Sequence, residues 1–337
     1  CAQASALTTD GTVQRHTFHQ YADADWVYFT VVSGTTYILS ANSTSPGADL
    51  VLELYDACDG TLKGADDNAF GSSAHLVFTA PSDGTYYARA LNHDPNVYGP
   101  DVTYELSVRA QACAGVALIV AGHDDAYNLQ DNILYASNAA YRTLLLSGLP
   151  KTHLRYLSDI DDDGRTDADG DGVSDVYTNS TSSNVETAIT TWAAGLVDAN
   201  KPFYLYLMDH GRIDGFLTDG GGDVITPDEL DNWLTTLENV TGAPVNVIYE
   251  ACHSGSFIDE LSKTGRVIIA STGKDNNAYA SRYGALFSDV FFTQLSQDSD
   301  LYTSFQLARQ AVETTGLWQT PWLDDNGDGI WQPTADG

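Results

Sequence analysis

An imidazole and a thiol far apart in this sequence share one kind of setting. His210 ends the run FYLYLMDH and is followed by Gly211, while Cys252 follows PVNVIYEA and leads into His253-Ser254-Gly255-Ser256. Each run is apolar and aromatic over the length of a buried strand, then breaks into small and polar residues. In a parallel α/β sheet the carboxyl ends of the strands share one edge, so both groups are expected in one crevice. A sulfur nucleophile must lose its proton as it attacks, and a nearby imidazole favours the thiolate. Gly211 and Gly255 would let a substrate backbone approach, and the N–H groups of Gly211 and Cys252 could hold an oxyanion. Alone, such a Cys is most often an inert small hydrophobe and such a His a satisfied polar group. Together, each ending a buried strand beside or near a glycine, they read as a nucleophile and its acid/base partner.

The elements that must position them follow from periodicity. Residues 116–121 form a fully apolar strand, and 128–146 have helical spacing that Gly148-Leu149-Pro150 stops. A strand over 153–157 and a helix over 184–197, capped by Asn184 or Ser183, come next. After the His210 strand, Thr226 with Glu229 predicts a capping box opening a helix at Pro227. The Cys252 strand, a strand over 266–271 and helices near 284–297 and 302–315 complete the unit. Strands alternating with helices over 113–316 predict an α/β domain, its mainly parallel sheet flanked by helices. Residues 1–112 carry short Val-, Tyr-, Phe- and Thr-rich runs punctuated by Gly, Pro, Asp and Asn, which predicts an all-β antiparallel sandwich. The chain is thus multidomain, with a short joint near 111–115 and a C-terminal tail over 317–337.

Asp209-His210-Gly211 followed by Glu250-Ala251-Cys252-His253-Ser254-Gly255-Ser256, both after hydrophobic strands, resembles the legumain-like cysteine peptidases, family C13 of the caspase-like superfamily. The resemblance spans about residues 114–315. It implies a caspase-like fold, a protein or peptide substrate, and His210 with Cys252 as catalytic dyad. It also implies that the imidazole protonates the leaving amine more than it forms a tight ion pair with the thiol. The Asn-cleaving members place Arg and His after an aromatic-Asn pair; here Tyr127-Asn128 is followed by Leu129, Gln130 and Asp131, and His253 replaces an acidic residue. Asp289 matches an acidic pocket position. The resemblance therefore puts Asn128, Gln130, Asp131, His253, Ser271 and Asp289 in the pocket with altered charge, and leaves a basic P1 residue open. In residues 1–112, the pattern with Asp23, Asp25 and Trp26 and the segment PSDGTYY at 81–87 is similar to the bacterial pre-peptidase C-terminal domain, either a folded spacer or a binding surface. Two other readings stay open: a ligase using the same dyad, and a non-catalytic, calcium-stabilised surface protein.

The acidic repeats carry a second chemistry. Asp159, Asp161, Asp163, Gly164 and Asp167 fit D-x-D-x-D-G-x-x-D, and Asp167, Asp169, Asp171, Gly172 and Asp175 fit it again. Alternate carboxylates can wrap one hard cation, with Gly allowing the turn, so structural Ca²⁺ is expected in this insertion. Asp324, Asn326, Asp328 and Gly329 repeat the theme in the tail. Over the whole chain, 46 acidic against 15 basic residues give a formal charge of −31, which argues against nucleic acid or an anionic membrane as partner. No apolar run approaches the roughly 20 residues needed to span a bilayer. With Cys252 set aside, Cys1, Cys58 and Cys113 are an odd set; Cys1 with Cys58 is the preferred disulfide and Cys113 the rival partner. Charge, cysteines and the Cys1 start suit a secreted or cell-surface protein whose export signal is not in this chain.

Overall fold

The computed structural model describes residues 4–58, 60–67, 72–111, 115–124, 127–218, 222–297 and 299–337, with the side chains of residues 67, 111 and 163 also left aside. The chain divides into two compact units at Cys113/Ala114.

The first unit carries β1 (Ser5–Ala6), β2 (Gln14–Thr17), β3 (Ala24–Val31), β4 (Thr36–Ser43), β5 (Leu50–Tyr55), β6 (Leu62–Asp67), β7 (Ala74–Thr79), β8 (Gly84–Asn92) and β9 (Thr103–Gln111). They form a five-stranded sheet, β1-β3-β8-β5-β6, and a four-stranded sheet, β2-β9-β4-β7. Strand periodicity explains the layering: along β3, Val27, Phe29 and Val31 are buried while Tyr28 and Thr30 are exposed. These inward residues join Leu39, Leu52, Leu54, Ala88 and Leu106 in one core, the expected sandwich. Cys58 is disulfide-bonded; Cys1 and Cys113 both lie outside the described residues, and with them the expected Cys1–Cys58 pairing.

The second unit is built on β10 (Val116–Ala121), β11 (Leu154–Ser158), β12 (Val176–Thr178), β13 (Phe203–Met208), a small hairpin sheet of β14 (Gly211–Arg212), β15 (Gly215–Leu217) and β16 (Val224–Ile225), then β17 (Val245–Glu250), β18 (Arg266–Ala270) and β19 (Trp322–Asp324). The main sheet runs β12-β11-β10-β13-β17-β18-β19, parallel except at β19. Its helices are α1 (Gln130–Leu146), α2 (Asp163–Thr166), α3 (Ser182–Thr187), α4 (Pro227–Thr241), α5 (Ile258–Leu261), α6 (Leu286–Ser296) and α7 (Leu301–Thr314). β10 and β17 are buried at every residue, as a sheet covered on both faces requires. Phe203, Leu205, Leu207, Val245, Val247 and Tyr249 pack with Leu230, Leu234 and Leu237 of α4 on one face. On the other face Tyr206 meets Phe292 edge-on and donates to Ser288 Oγ at 2.9 Å, so α6 covers that side.

Two expectations are corrected and a third is met. The tail over 317–337 is not separate: β19 adds an antiparallel edge strand to the main sheet and lies within the second unit. A three-residue strand shows too little alternation to be read from sequence. The helix expected over 184–197 begins at Ser182 behind Thr181, then widens into a π turn (Ala188–Trp192) and tightens into a 3₁₀ turn (Ala193–Gly195). The Thr226 capping box forms with both reciprocal bonds, and Gly242 closes α4 in the left-handed region.

Candidate active site

Register brings the imidazole and the thiol together. β13 and β17 are adjacent and parallel, with Phe203 opposite Val245 and Met208 opposite Glu250. His210 is the second residue after Met208 and Cys252 the second after Glu250, so both leave the sheet at the same height. Neighbouring strands lie about 4.8 Å apart. By strand alternation both continue the face that carries Met208 and Glu250, the side that α6 covers. His210, Gly211, Cys252 and Glu250 line one cavity of about 500 Å³.

The turns after the strands are shaped for close approach. A Cβ on Gly211 would overlap the Cys252 carbonyl oxygen, so only glycine lets the two strand ends sit this near. His253 takes a left-handed φ of 61°, which folds the chain from Cys252 into the 3₁₀ turn Ser254–Phe257. The second unit's opposite wall is the segment over 277–280. Cys252 Sγ donates to Ala278 O at 3.6 Å. Burial pushes the thiol up, and contact with the Ala278 backbone works the other way. Gln319 pins this wall: it is buried, its Nε2 donates to Ser271 O at 2.9 Å, and its Oε1 accepts from Tyr279 N at 3.1 Å. The Trp322 ring fills the space beside Gly255 and Gly273, so the tail buttresses the loop that follows Cys252.

His210 has a carboxylate beside it. Its Nε2 lies 3.3 Å from Asp124 Oδ1, at ion-pair distance but out of line for a hydrogen bond, and the Asp124 side chain is only 1 % exposed. Tyr127 lays its ring on the imidazole, centroids 5.0 Å apart. Two more acids stand at the floor. Burial pushes Asp209 up to about 8, with Asp124 and Asp159 adding repulsion, against the backbone N–H groups of His210 and His123. Burial likewise pushes Glu250 up to about 7, opposed by Ser271 and Ser288. Ser288 gives Glu250 Oε2 both its N–H, at 3.0 Å, and its Oγ, at 2.7 Å.

Of the six pocket residues expected from sequence, His253 lines the cavity and the others do not. Gln130 is turned inward as a brace, its Oε1 accepting from Asp124 N and its Nε2 donating to Gly122 O. Asp131 points outward to Arg165 at 2.6 Å. Asn128 is an exposed left-handed turn residue, φ 57°. Ser271 is buried beneath the floor. Asp289 caps the neighbouring turn, its Oδ1 accepting from Ala285 N. Sequence reading missed Asp124, Glu250 and Asn132 as cavity residues. Asp124 had a signal: it stands just past β10, at the same carboxyl edge of the sheet.

The acidic repeats divide in the structure. Asp167, Asp169 and Asp175 bring carboxylate oxygens within 4.8 Å of one another. Asp171 joins through Lys151, whose Nζ lies 2.5, 2.8 and 3.2 Å from Asp169, Asp171 and Asp175. Among the described residues Asp159 and Asp161 enter no such cluster, because Asp162 caps α2 and turns that half into a helical turn; the Asp163 side chain lies outside the described set. In the tail, Asp324 and Asp328 converge with Asp336, which the sequence had not singled out. Asn326 donates to Asp336 at 2.5 Å.

These features place a thiol, an imidazole and three carboxyl groups on one cavity at the carboxyl edge of a parallel sheet. Residues 197–319 match the model of the Peptidase C13 family, and residues 23–90 that of the bacterial pre-peptidase C-terminal domain. A segment that matches the pre-peptidase C-terminal domain thus precedes one that matches the Peptidase C13 family of cysteine peptidases, each match covering less than half of the chain. Among solved structures, the pre-peptidase C-terminal domain of a Bacillus anthracis collagenase is 22 % identical, covering 32 % of this chain and 95 % of its own, with a TM-score of 0.27. Caspase-1 from Spodoptera frugiperda is 15 % identical, covering 63 % of this chain and 86 % of its own, with a TM-score of 0.44. Among curated proteins nothing matches the chain. Among the described residues no helix is long and apolar enough to cross a membrane.

Proposed function

We propose that this chain is an exported cysteine endopeptidase that cleaves peptide bonds through a thioester on Cys252. The observation that carries the reading is the β13–β17 register, which sets His210 and Cys252 at equal height on one cavity. The Cys252 thiol gives its proton to His210 as sulfur bonds to the substrate carbonyl carbon. The N–H groups of Gly211 and Cys252 hold the oxyanion, and the imidazolium returns the proton to the leaving amine as the C–N bond breaks. Water then attacks the thioester with His210 as base, releasing the acid and restoring the thiol. Among the described residues Asp124, Asp209, Glu250 and Arg212 line the cavity; a cationic side chain at P1 would draw Asp209 and Glu250, which burial favours as neutral, to their charged forms. The family matches support export. Ca²⁺ is proposed for the tail cluster of Asp324, Asp328 and Asp336 with Asn326, and for the Asp167–Asp175 loop in exchange for the Lys151 ammonium.

The test is a peptide library digested by the chain, with product termini read by mass spectrometry. Products ending in Lys or Arg, lost in Cys252→Ala and His210→Ala, are expected, together with fast iodoacetamide labelling of Cys252. Cleavage that survives Cys252→Ala, or no cleavage and sluggish labelling indifferent to His210→Ala, would overturn the peptidase reading.

A further inference from the structure

The environment of His210 points to a residue outside both motifs. Asp124 stands on the segment that follows β10, and its carboxylate is almost wholly buried beside the imidazole. Its position is over-determined. The Tyr127 N–H donates to Oδ1 at 2.8 Å and the Leu129 N–H donates to Oδ2. Its own backbone N–H donates to Gln130 Oε1, and Gln130 ties back to Gly122 O. Tyr127, fixed by the same turn, covers the imidazole. A carboxylate beside one ring nitrogen of a neutral imidazole favours the tautomer whose N–H faces it. The nitrogen facing Asp124 is Nε2, which leaves Nδ1 for the substrate and the thiol.

We propose that Asp124 is the positioning residue of the dyad: it orients the His210 ring through Nε2 and favours the Nδ1-active form that passes the proton between Cys252 and the leaving amine. The proposal rests on the peptidase reading above. Gln130 and Tyr127 act behind it, Gln130 by bracing the Asp124 turn and Tyr127 by closing the open face of the ring. Among the described residues Asp209, Arg212, Glu250, Cys252, His123, His253 and Tyr279 are the other titratable groups lining this cavity. Asp124 is distinguished from them by its ion-pair distance to the imidazole.

The test compares the full chain with Asp124→Asn and Asp124→Glu. Asn removes the charge and keeps one of the two acceptor oxygens that Tyr127 and Leu129 use, setting an amide NH2 against the other N–H. The expected result for Asp124→Asn is a kcat lower by about 100-fold with KM nearly unchanged. The kcat should recover in part in Asp124→Glu. Independently of activity, the ring nitrogen shifts of His210 in NMR should report the proton on Nε2 in the parent and a mixture of tautomers in Asp124→Asn. A parent-like kcat in Asp124→Asn would overturn the proposal. So would a loss of kcat with the tautomer unmoved, since that is a folding defect alone. A parent that neither cleaves nor labels strikes the peptidase reading, and the ring tautomer still decides whether Asp124 orients His210.

Discussion

Acidic residues do opposite things in two regions of the second unit. At the floor of the cavity, Asp209 and Glu250 are enclosed at the end of the sheet, and burial drives both carboxyls toward the neutral form. In the loops, the carboxylates face their own backbone: Asp167 accepts from Gly170, Asp171 and Gly172, and Asp324 accepts from Gly327 and Gly329. Three of the first loop's neighbours also share the Lys151 ammonium. Burial penalises the ionised form of the floor acids, while the loop carboxylates have backbone N–H groups to accept from. The floor should therefore respond to pH and the loops to cations.

The largest effect is expected where the sheet edge is tightest. Gly211→Ala forces a methyl group into the Cys252 carbonyl, so kcat/KM on the selected peptide should fall at least about 100-fold. Parent-like turnover would show that the strand ends tolerate separation.

A pH series separates floor from loops next. A folded pKa of about 8 for Asp209 and about 7 for Glu250 means that the folded chain binds more protons than the unfolded one between about pH 4 and pH 8. Stability from these groups is thus complete below their unfolded values and is lost as pH rises through the folded ones. The melting temperature should decline over that window, and more shallowly in Asp209→Asn/Glu250→Gln. Equal slopes would place the pH response elsewhere in this highly charged chain.

The smallest effect is expected in the loops. EDTA should lower the melting temperature, and Ca²⁺ but not Mg²⁺ should restore it. Lys151→Ala should tighten Ca²⁺ binding at the Asp167–Asp175 loop and leave the tail loop unchanged, as read by calorimetry. No response to EDTA would leave the loops as networks closed by backbone and lysine alone.

Much of the site was legible. Apolar runs ending in D-H-G and E-A-C marked the strand ends, and the Thr226–Glu229 box marked the start of α4, because those signals are local. The pocket positions were less so. Gln130 and Asp131 are neighbours at the start of α1, yet one turns inward to Asp124 and the other outward to Arg165. Helix phase and the path of the preceding turn decide that, and neither is written in residue type. Likewise, Trp322 and Gln319 look like tail residues until β19 pairs with β18.

By itself the sequence determined the alternation of the main strands and helices, the apolar runs that end at the imidazole and at the thiol, and the carboxylate spacing of the loops, since each depends on neighbours along the chain. Only the tertiary structure decided that Asp124 meets His210, that the tail braces the wall beside Cys252, and that Asp336 rather than Asp161 joins an acidic cluster. Those contacts depend on strand register and burial, which arise when distant segments share one sheet.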